Sequence, residues 1–138
     1  MKESRVAQCR LIELPKVHNV AGNITSVHSH GEIPFAIERV YYMYDIPGGE
    51  TRGGHAHKSL QQLIVAATGS FEMVVDDGYE RSRFHLSRSY QGVYVPPGIW
   101  RELENFSSAG ICLVLASSVY NEEDYLRNYA DFVRYKTS

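Results

Sequence analysis

The sequence predicts an all-β fold, a barrel or sandwich, followed by one short C-terminal helix. Short segments rich in β-branched and aromatic residues follow one another along most of the chain, such as RLIEL, QQLIVAAT, SFEMVVDD and ICLVLAS. Glycine and proline pairs, among them Gly48-Gly49 and Pro96-Pro97, separate these segments at the short spacing typical of all-β domains. Asp77-Gly78 lies between two such segments and predicts a tight hairpin, because two-residue turns need positive φ angles.

The last part of the chain has a different periodicity. Asn121 is a suitable helix N-cap, and the three acidic residues after it favour a helix N-terminus. Apolar side chains then recur at helical spacing, which predicts one amphipathic helix over about residues 121–134. We expect this apolar stripe to pack against the barrel or a neighbouring subunit, and its members are Tyr125, Leu126, Tyr129, Phe132 and Val133.

Length and composition predict one globular domain over residues 1–138, with the barrel at about 5–118. The 138 residues are 43% hydrophobic and 22% charged. A formal charge of −2 gives no general attraction to nucleic acid or to an anionic membrane. No stretch reaches the roughly 18 apolar residues of a membrane span, and MKESRVAQCR has no apolar signal core, so we expect a cytoplasmic protein. Cys9 and Cys112 lie in separate apolar runs and are expected to be buried free thiols.

Two motifs resemble those of the cupins, a superfamily of small jelly-roll β-barrels. The first cupin motif reads G-x5-H-x-H-x3–4-E-x6-G, and at its positions this chain has Gly49, His55, His57, Gln62 and Gly69. The second motif ends P-x-G-x2-H-x3-N and matches residues 96–105, with Arg101 in place of the histidine. The resemblance implies a cupin-type β-barrel.

The two departures from the motifs argue against a metal ion. A divalent ion needs neutral imidazoles and anionic charge, but Gln62 carries no charge and Arg101 carries a fixed positive one. We therefore predict no metal and no cofactor. Two imidazoles, which titrate near neutrality, beside a guanidinium suit an organic anion whose protons are moved. A His-x-His pair alone is more often a polar strand face than an active site, and only its place in the glycine frame favours the active site.

Roughly residues 35–132 resemble the sugar 3,4-ketoisomerases that act on dTDP-4-keto-6-deoxyglucose. The resemblance rests on R-G-x-H-A-H-K, on P-P-x-x-W-R-E and on the closing LVLASSVYNEEDYLRNYADF. It implies an isomerase that moves a keto group from C4 to C3 of a dTDP-sugar without a metal, for the synthesis of 3-amino-3,6-dideoxy sugars. It also implies proton shuttling by His55 and His57, and a homodimer with exchanged N-terminal strands.

The same resemblance implies a catalytic tyrosine in the strand over residues 39–42. By the two-residue period of a strand, Arg39 and Tyr41 share one face and Tyr42 takes the other. Either tyrosine can face the cavity, depending on the strand register. The predicted catalytic set is therefore His55, His57, Tyr41 and Tyr42.

A second set of residues is predicted to bind the substrate. Arg52 and Arg101 are candidates to contact the pyrophosphate or the sugar oxygens, because guanidinium groups suit phosphate. Trp100 is predicted either to stack on thymine or a sugar face or to pack in the core. The substrate-binding set is Arg39, Arg52, Gln62, Trp100 and Arg101.

The sequence leaves the stereochemistry and two other functions open. Relatives often carry a charged or aromatic residue where this chain has Ala21, and that departure together with Arg101 favours the gluco over the galacto product. One alternative is an epimerase of the dTDP-sugar pathway, which also uses a histidine base in a cupin barrel. The other is a sugar-binding cupin without catalytic activity.

Overall fold

The structure is a computed structural model and describes residues 2–138. Most of the described chain lies in short strands, which fits the frequent β-branched and aromatic residues. Two 3-10 helices, Val6–Gln8 and Glu122–Asp124, precede the first strand and the last strand respectively. The other elements are β1 (Arg10–Glu13), β2 (Val17–Asn19), β3 (Gly22–Ile24), β4 (Arg39–Met43), β5 (Arg52–His57), β6 (Gln62–Thr68), β7 (Phe71–Asp76), β8 (Arg81–Leu86), β9 (Gln91–Val95), β10 (Trp100–Glu104), β11 (Ile111–Ala116), β12 (Tyr125–Leu126) and α1 (Tyr129–Thr137).

Two five-stranded antiparallel sheets form the body of the protein. One sheet has the strand order β1-β9-β6-β11-β4, and the other has the order β12-β5-β10-β7-β8. β2 and β3 pair only with each other, as a separate hairpin. The two sheets are not joined into one closed barrel, but the architecture confirms the predicted cupin-type all-β fold with a short C-terminal helix.

The main hydrophobic core contains side chains from both sheets. Ile64 and Val114 contribute from one sheet, and Met73 and Leu103 contribute from the other. Along each strand these residues alternate with residues that face outward, as the pleat requires. Cys9 and Cys112 are buried in this core as free thiols, which confirms the prediction for both. No helix within residues 2–138 is long and apolar enough to cross a membrane.

The C-terminal helix begins at Tyr129, eight residues later than the predicted start at Asn121. Asn121 does act as an N-cap, but for the short 3-10 helix, where its side chain accepts a hydrogen bond from the Glu123 backbone. The chain then pairs with β5 through Tyr125 and Leu126, so its backbone hydrogen bonds go to the sheet. The prediction of a continuous helix from 121 was wrong because this strand pairing interrupts it.

The predicted hairpin at Asp77-Gly78 is present, but its loop is longer than two residues. β7 and β8 pair up to Asp76 and Arg81, which leaves a four-residue loop over residues 77–80. The Asp77 side chain accepts hydrogen bonds from the backbone amides of Tyr79 and Glu80. This carboxylate cap stabilises the wider turn, and the dipeptide alone did not indicate it.

Candidate active site

One cavity of about 590 Å³ opens between the two sheets. Strands of both sheets and the chain after β11 contribute to its wall. The lining contains no aspartate or glutamate from the described residues, but it contains four arginines, namely Arg39, Arg52, Arg101 and Arg127. The cavity therefore favours an anionic ligand.

β4 presents alternate side chains to the cavity. Arg39 and Tyr41 are partly buried and face inward, and the two side chains contact each other at 5.1 Å from guanidinium carbon to ring centre. Tyr42 points to the other side, is 60% exposed and packs against the ring of Tyr44, although it still reaches the cavity rim. Of the two predicted tyrosines, Tyr41 is the one whose hydroxyl lies among the site's polar groups.

A β-bulge in β5 brings Arg52 and His55 to the same cavity. Opposite β10, His55 pairs with Arg101 and Gly53 pairs with Glu102, so Gly54 is an extra residue. Residues three apart on a regular strand face opposite sides, yet both side chains line the cavity. Gly53 and Gly54 both have positive φ angles, +88° and +66°, which glycine adopts without strain.

The two histidines lie in contact, one in front of the other. Their ring centres are 4.8 Å apart and the planes are nearly perpendicular. His55 lines the cavity, whereas His57 is only 1% exposed and lies behind it. The Tyr125 ring packs on both, at 5.0 Å from His55 and 4.3 Å from His57. Asp124 is hydrogen-bonded to His57 Nδ1 at 3.3 Å.

Arg101, Gln62 and Tyr41 form a hydrogen-bonded chain across the cavity floor. Arg101 is 1% exposed and donates to the Gln62 side-chain oxygen and to the carbonyl of Ile99. Gln62 Nε2 donates to Tyr41 Oη at 3.0 Å. No carboxylate within residues 2–138 forms an ion pair with Arg101, so its charge is free to meet an anionic ligand.

Burial, and after it the charge of Arg101, determine the protonation states of the two histidines. They lower the pKa of His55 to about 3 and hold the pKa of His57 far below its ordinary value. Both imidazoles are therefore neutral at pH 7. Burial raises the pKa of Tyr41, so its phenol stays protonated. Because its oxygen already accepts from Gln62, its proton is available for a ligand.

The two positions that depart from the metal-binding cupin motif contact each other. The Gln62 oxygen, which would be the ligand atom, accepts a hydrogen bond from Arg101. Within the described residues, no group of three or more histidine, cysteine, aspartate or glutamate side chains is placed to hold a metal ion. His55 and His57 remain as two neutral imidazoles beside a buried cation, and that donor set does not suit a divalent ion.

Trp100 lies outside the cavity and does not support the predicted stacking on substrate. Its neighbour Arg101 faces inward, so the strand period turns Trp100 to the outer side of the sheet. There it packs against Ala56 and Phe132, and its indole N–H donates to Glu102 at 2.8 Å. Of the two alternatives for Trp100, packing is the one that the structure supports.

The sequence did not indicate the residues that follow β11 as part of the site. Tyr120, Tyr125 and Arg127 line the cavity, and Asp124 contacts His57. The Arg127 guanidinium lies 4.1 Å from the Tyr125 ring centre. Of these residues, Tyr125 is predicted from the sequence to lie on the apolar face of a helix and Asp124 in its acidic first turn, and helical spacing alone gives no sign that the segment returns to β5.

Comparison with known proteins gives a family match over most of the chain. The family described as FdtA, WxcM-like, C-terminal, matches residues 7–137. A curated protein from Aneurinibacillus thermoaerophilus, named TDP-4-oxo-6-deoxy-alpha-D-glucose-3,4-oxoisomerase, is 40% identical over 126 residues, which are 91% of each chain.

Two solved structures that are similar to this chain are those of proteins named as 3,4-ketoisomerases. The TDP-quinovose 3,4-ketoisomerase WlaRB from Campylobacter jejuni is 36% identical, with a TM-score of 0.88 and coverage of 91% of this chain and 97% of that one. A variant of the 3,4-ketoisomerase QdtA from Thermoanaerobacterium thermosaccharolyticum, in complex with TDP-4-keto-6-deoxyglucose, is 33% identical, with a TM-score of 0.89 over 91% of each chain.

Proposed function

Since the chain belongs to the FdtA, WxcM-like family of sugar 3,4-ketoisomerases and is an isomerase, we propose that it moves the keto group of dTDP-4-keto-6-deoxyglucose from C4 to C3. One observation carries the proposal. A neutral histidine, a protonated tyrosine and a buried guanidinium without a carboxylate partner converge on one cavity. These are the base, the acid and the oxyanion-stabilising charge that an enediolate reaction requires.

In the proposed reaction, His55 is the general base that meets the sugar. It removes the C3 proton, the C–H electron pair forms a C3–C4 double bond, and the carbonyl electrons move to O4. A proton is then returned to C4, O4 receives a proton, and O3 loses one to become the new ketone. Reactant and product have the same atoms, so no oxidant or reductant is needed. His57 and Tyr41 complete the predicted proton shuttle, whereas Tyr42 contacts the cavity only at its rim and is 60% exposed.

Arg101 and Gln62 stabilise the negative charge that develops on the sugar oxygens. The guanidinium is buried and fixed by Ile99 and Gln62, so its charge is oriented before the substrate arrives. In such a low-dielectric environment a preorganised cation acts more strongly than in water. Burial, together with this charge, lowers the pKa of His55, so the imidazole is neutral and has a lone pair for the proton.

The outer arginines of the cavity bind the pyrophosphate. Arg52 is exposed at the mouth and Arg39 lies deeper, where its buried Nε makes no hydrogen bond to any of residues 2–138. A guanidinium with a free donor suits a phosphate oxygen. Arg127 adds a third positive group at the rim, although it is paired with Glu122.

The proposed product has the gluco configuration at C4 and feeds the synthesis of 3-amino-3,6-dideoxy sugars. Two observations support the configuration: Ala21 brings no side chain capable of proton transfer, and a relative at 36% identity is named for TDP-quinovose, a gluco sugar. NMR coupling constants of the product, trapped by a 3-aminotransferase, measure it. A galacto product from the native protein would contradict this assignment.

We also propose a homodimer with exchanged N-terminal strands. The β2–β3 hairpin makes no pairing with the two sheets and exposes Val17, Val20 and Ile24. β4 is the last strand of its sheet and pairs with β11 alone, so its other edge is available to a strand from a second copy.

The decisive experiment replaces His55 by Asn, which keeps the size but removes the titrating group. We expect kcat to fall by roughly two to four orders of magnitude with unchanged affinity for TDP. His85→Asn is the matched control, because His85 is exposed on β8, away from the cavity. Native-like turnover in the His55 variant would contradict the assignment of the base.

Product analysis by NMR in deuterated water distinguishes the competing functions. A 3,4-ketoisomerase yields the ketone at C3. A ketone that stays at C4 while ring protons exchange would instead identify an epimerase, and binding without any exchange would identify a sugar-binding protein. Incubation with a chelator is expected to leave turnover unchanged, and loss of activity that a divalent metal restores would overturn the metal-free mechanism.

A further inference from the structure

Asp124 is hydrogen-bonded to His57 and to the three residues that follow it. Its Oδ1 accepts from the Ser59 backbone amide at 2.8 Å and from the Ser59 hydroxyl at 2.6 Å. Its Oδ2 lies 3.3 Å from the Leu60 amide and 3.3 Å from His57 Nδ1. Its own carbonyl accepts from the Lys58 amide at 2.9 Å. The carboxylate is therefore fixed on the turn that directly follows His57.

These contacts determine which nitrogen of His57 carries the proton. Three protein donors already converge on the Asp124 side chain, namely the Ser59 amide, the Ser59 hydroxyl and the Leu60 amide, so its oxygens act as hydrogen-bond acceptors. His57 Nδ1 must then be the donor. Because the ring is neutral at neutral pH, Nε2 carries the lone pair. Nε2 is buried and makes no hydrogen bond to any of residues 2–138, so that lone pair is unused.

We propose that Asp124 is a positioning residue that holds His57 in its Nδ1–H form and so keeps Nε2 free to accept a proton next to His55. Asp124 does not line the cavity, and it acts only through the histidine. This inference rests on the proposed isomerase function for its catalytic consequence, but its structural statement about the His57 tautomer is independent of any activity.

Asp124→Asn tests the proposal with little change in size. The two short Ser59 contacts favour the amide oxygen at the Oδ1 position, so the amide nitrogen faces His57 and donates to Nδ1. The proton of His57 then moves to Nε2. We expect kcat to fall about 10- to 100-fold, as for other residues that orient a functional histidine through a hydrogen bond, with the affinity for TDP unchanged.

Ser59→Ala is the matched control. It removes one hydrogen bond from the same carboxylate but leaves the Asp124 to His57 contact intact, so kcat is expected to stay within about twofold. The chemical shifts of the His57 ring nitrogens in 15N-labelled protein give the tautomer directly. We expect protonated Nδ1 in the native protein and in Ser59→Ala, and protonated Nε2 in Asp124→Asn.

The outcomes separate this inference from the isomerase function. A native protein with protonated Nε2 overturns the role of Asp124 even if the protein is an active isomerase and even if no variant folds. Lower kcat in Asp124→Asn with an unchanged His57 tautomer, or with a parallel loss of TDP affinity, overturns it in favour of a merely structural role. Protonated Nδ1 in a native protein without isomerase activity supports the tautomer assignment and contradicts only the function.

Discussion

Two segments leave the main sheets of this protein, and they differ in what they contact. The C-terminal segment, residues 120–137, returns to β5 and buries Phe132 completely beside Trp100. Lys136, near its end, is 5% exposed and donates to the carbonyls of Ser4 and Gly98. The β2–β3 hairpin instead leaves Val20 fully exposed and Ile24 68% exposed.

The difference indicates which of the two segments is packed within one chain. The C-terminal segment supplies Tyr125 and Asp124 to the histidines from within the same chain. The hairpin has apolar side chains that remain exposed to solvent, because no other part of residues 2–138 packs against them. Exposed apolar surface of this kind typically marks an interaction site. The contrast supports the proposal that the hairpin is completed by a second copy.

The largest stability effect is expected at the buried end of the C-terminal segment. Phe132→Ala removes a fully buried ring from the cluster with Ala56 and Trp100, and should lower the free energy of unfolding by about 3–5 kcal/mol. Urea denaturation measures it. Tyr135→Ala, on the same helix but outside this cluster, is the control, and an equal loss in both would mean that the cluster does not anchor the helix.

Acidification should destabilise the protein through the covered histidines. Because the pKa of His55 is lowered to about 3 from 6.5, the unfolded chain binds more protons at pH between these values, and stability falls as the pH drops through that window. At pH 4, His55→Asn should reduce this loss by about 1–3 kcal/mol. Thermal unfolding across pH measures it, with exposed His85→Asn as the control. If the native protein and His55→Asn lost stability equally as the pH falls, the side chain of His55 would be solvated in the folded protein.

Removal of the ring that covers the histidines should have a smaller effect. Tyr125→Ala deletes a ring that packs on both imidazoles, and should lower kcat about tenfold, which corresponds to about 1.4 kcal/mol. Tyr125→Phe keeps the ring and should retain most of the activity. If the Phe variant were as impaired as the Ala variant, the hydroxyl rather than the packing would be the important group.

The smallest stability effect is expected in the hairpin. Ile24→Ser should change the free energy of unfolding of the monomer by about 0.5 kcal/mol or less, because the side chain is exposed. The same change should weaken the proposed dimer, as measured by analytical ultracentrifugation. If the variant associated as strongly as the native protein, the hairpin would not be part of the dimer interface.

The strand periodicity and the motif spacing predicted the cupin-type all-β fold, but not every neighbour of the site. The two-residue period places Arg39 with Tyr41, and by the same period Trp100 and Arg101 lie on opposite faces of β10. Tyr125 and Asp124 could not be placed, because acidic residues and helical spacing are local signals whereas pairing with β5 is a long-range contact. The Gly53-Gly54 dipeptide alone also did not indicate a β-bulge at Gly54.

That bulge makes the charge of the cavity depend on backbone conformation rather than on residue types. Arg52 reaches the cavity because the bulge at Gly54 absorbs the one additional residue that separates it from His55 on the strand. Loss of the bulge with both glycines still present would restore the regular alternation and turn Arg52 to the outer side. A local change of strand register would thus reduce the arginines of the cavity from four to three while every residue of the sequence remained in place.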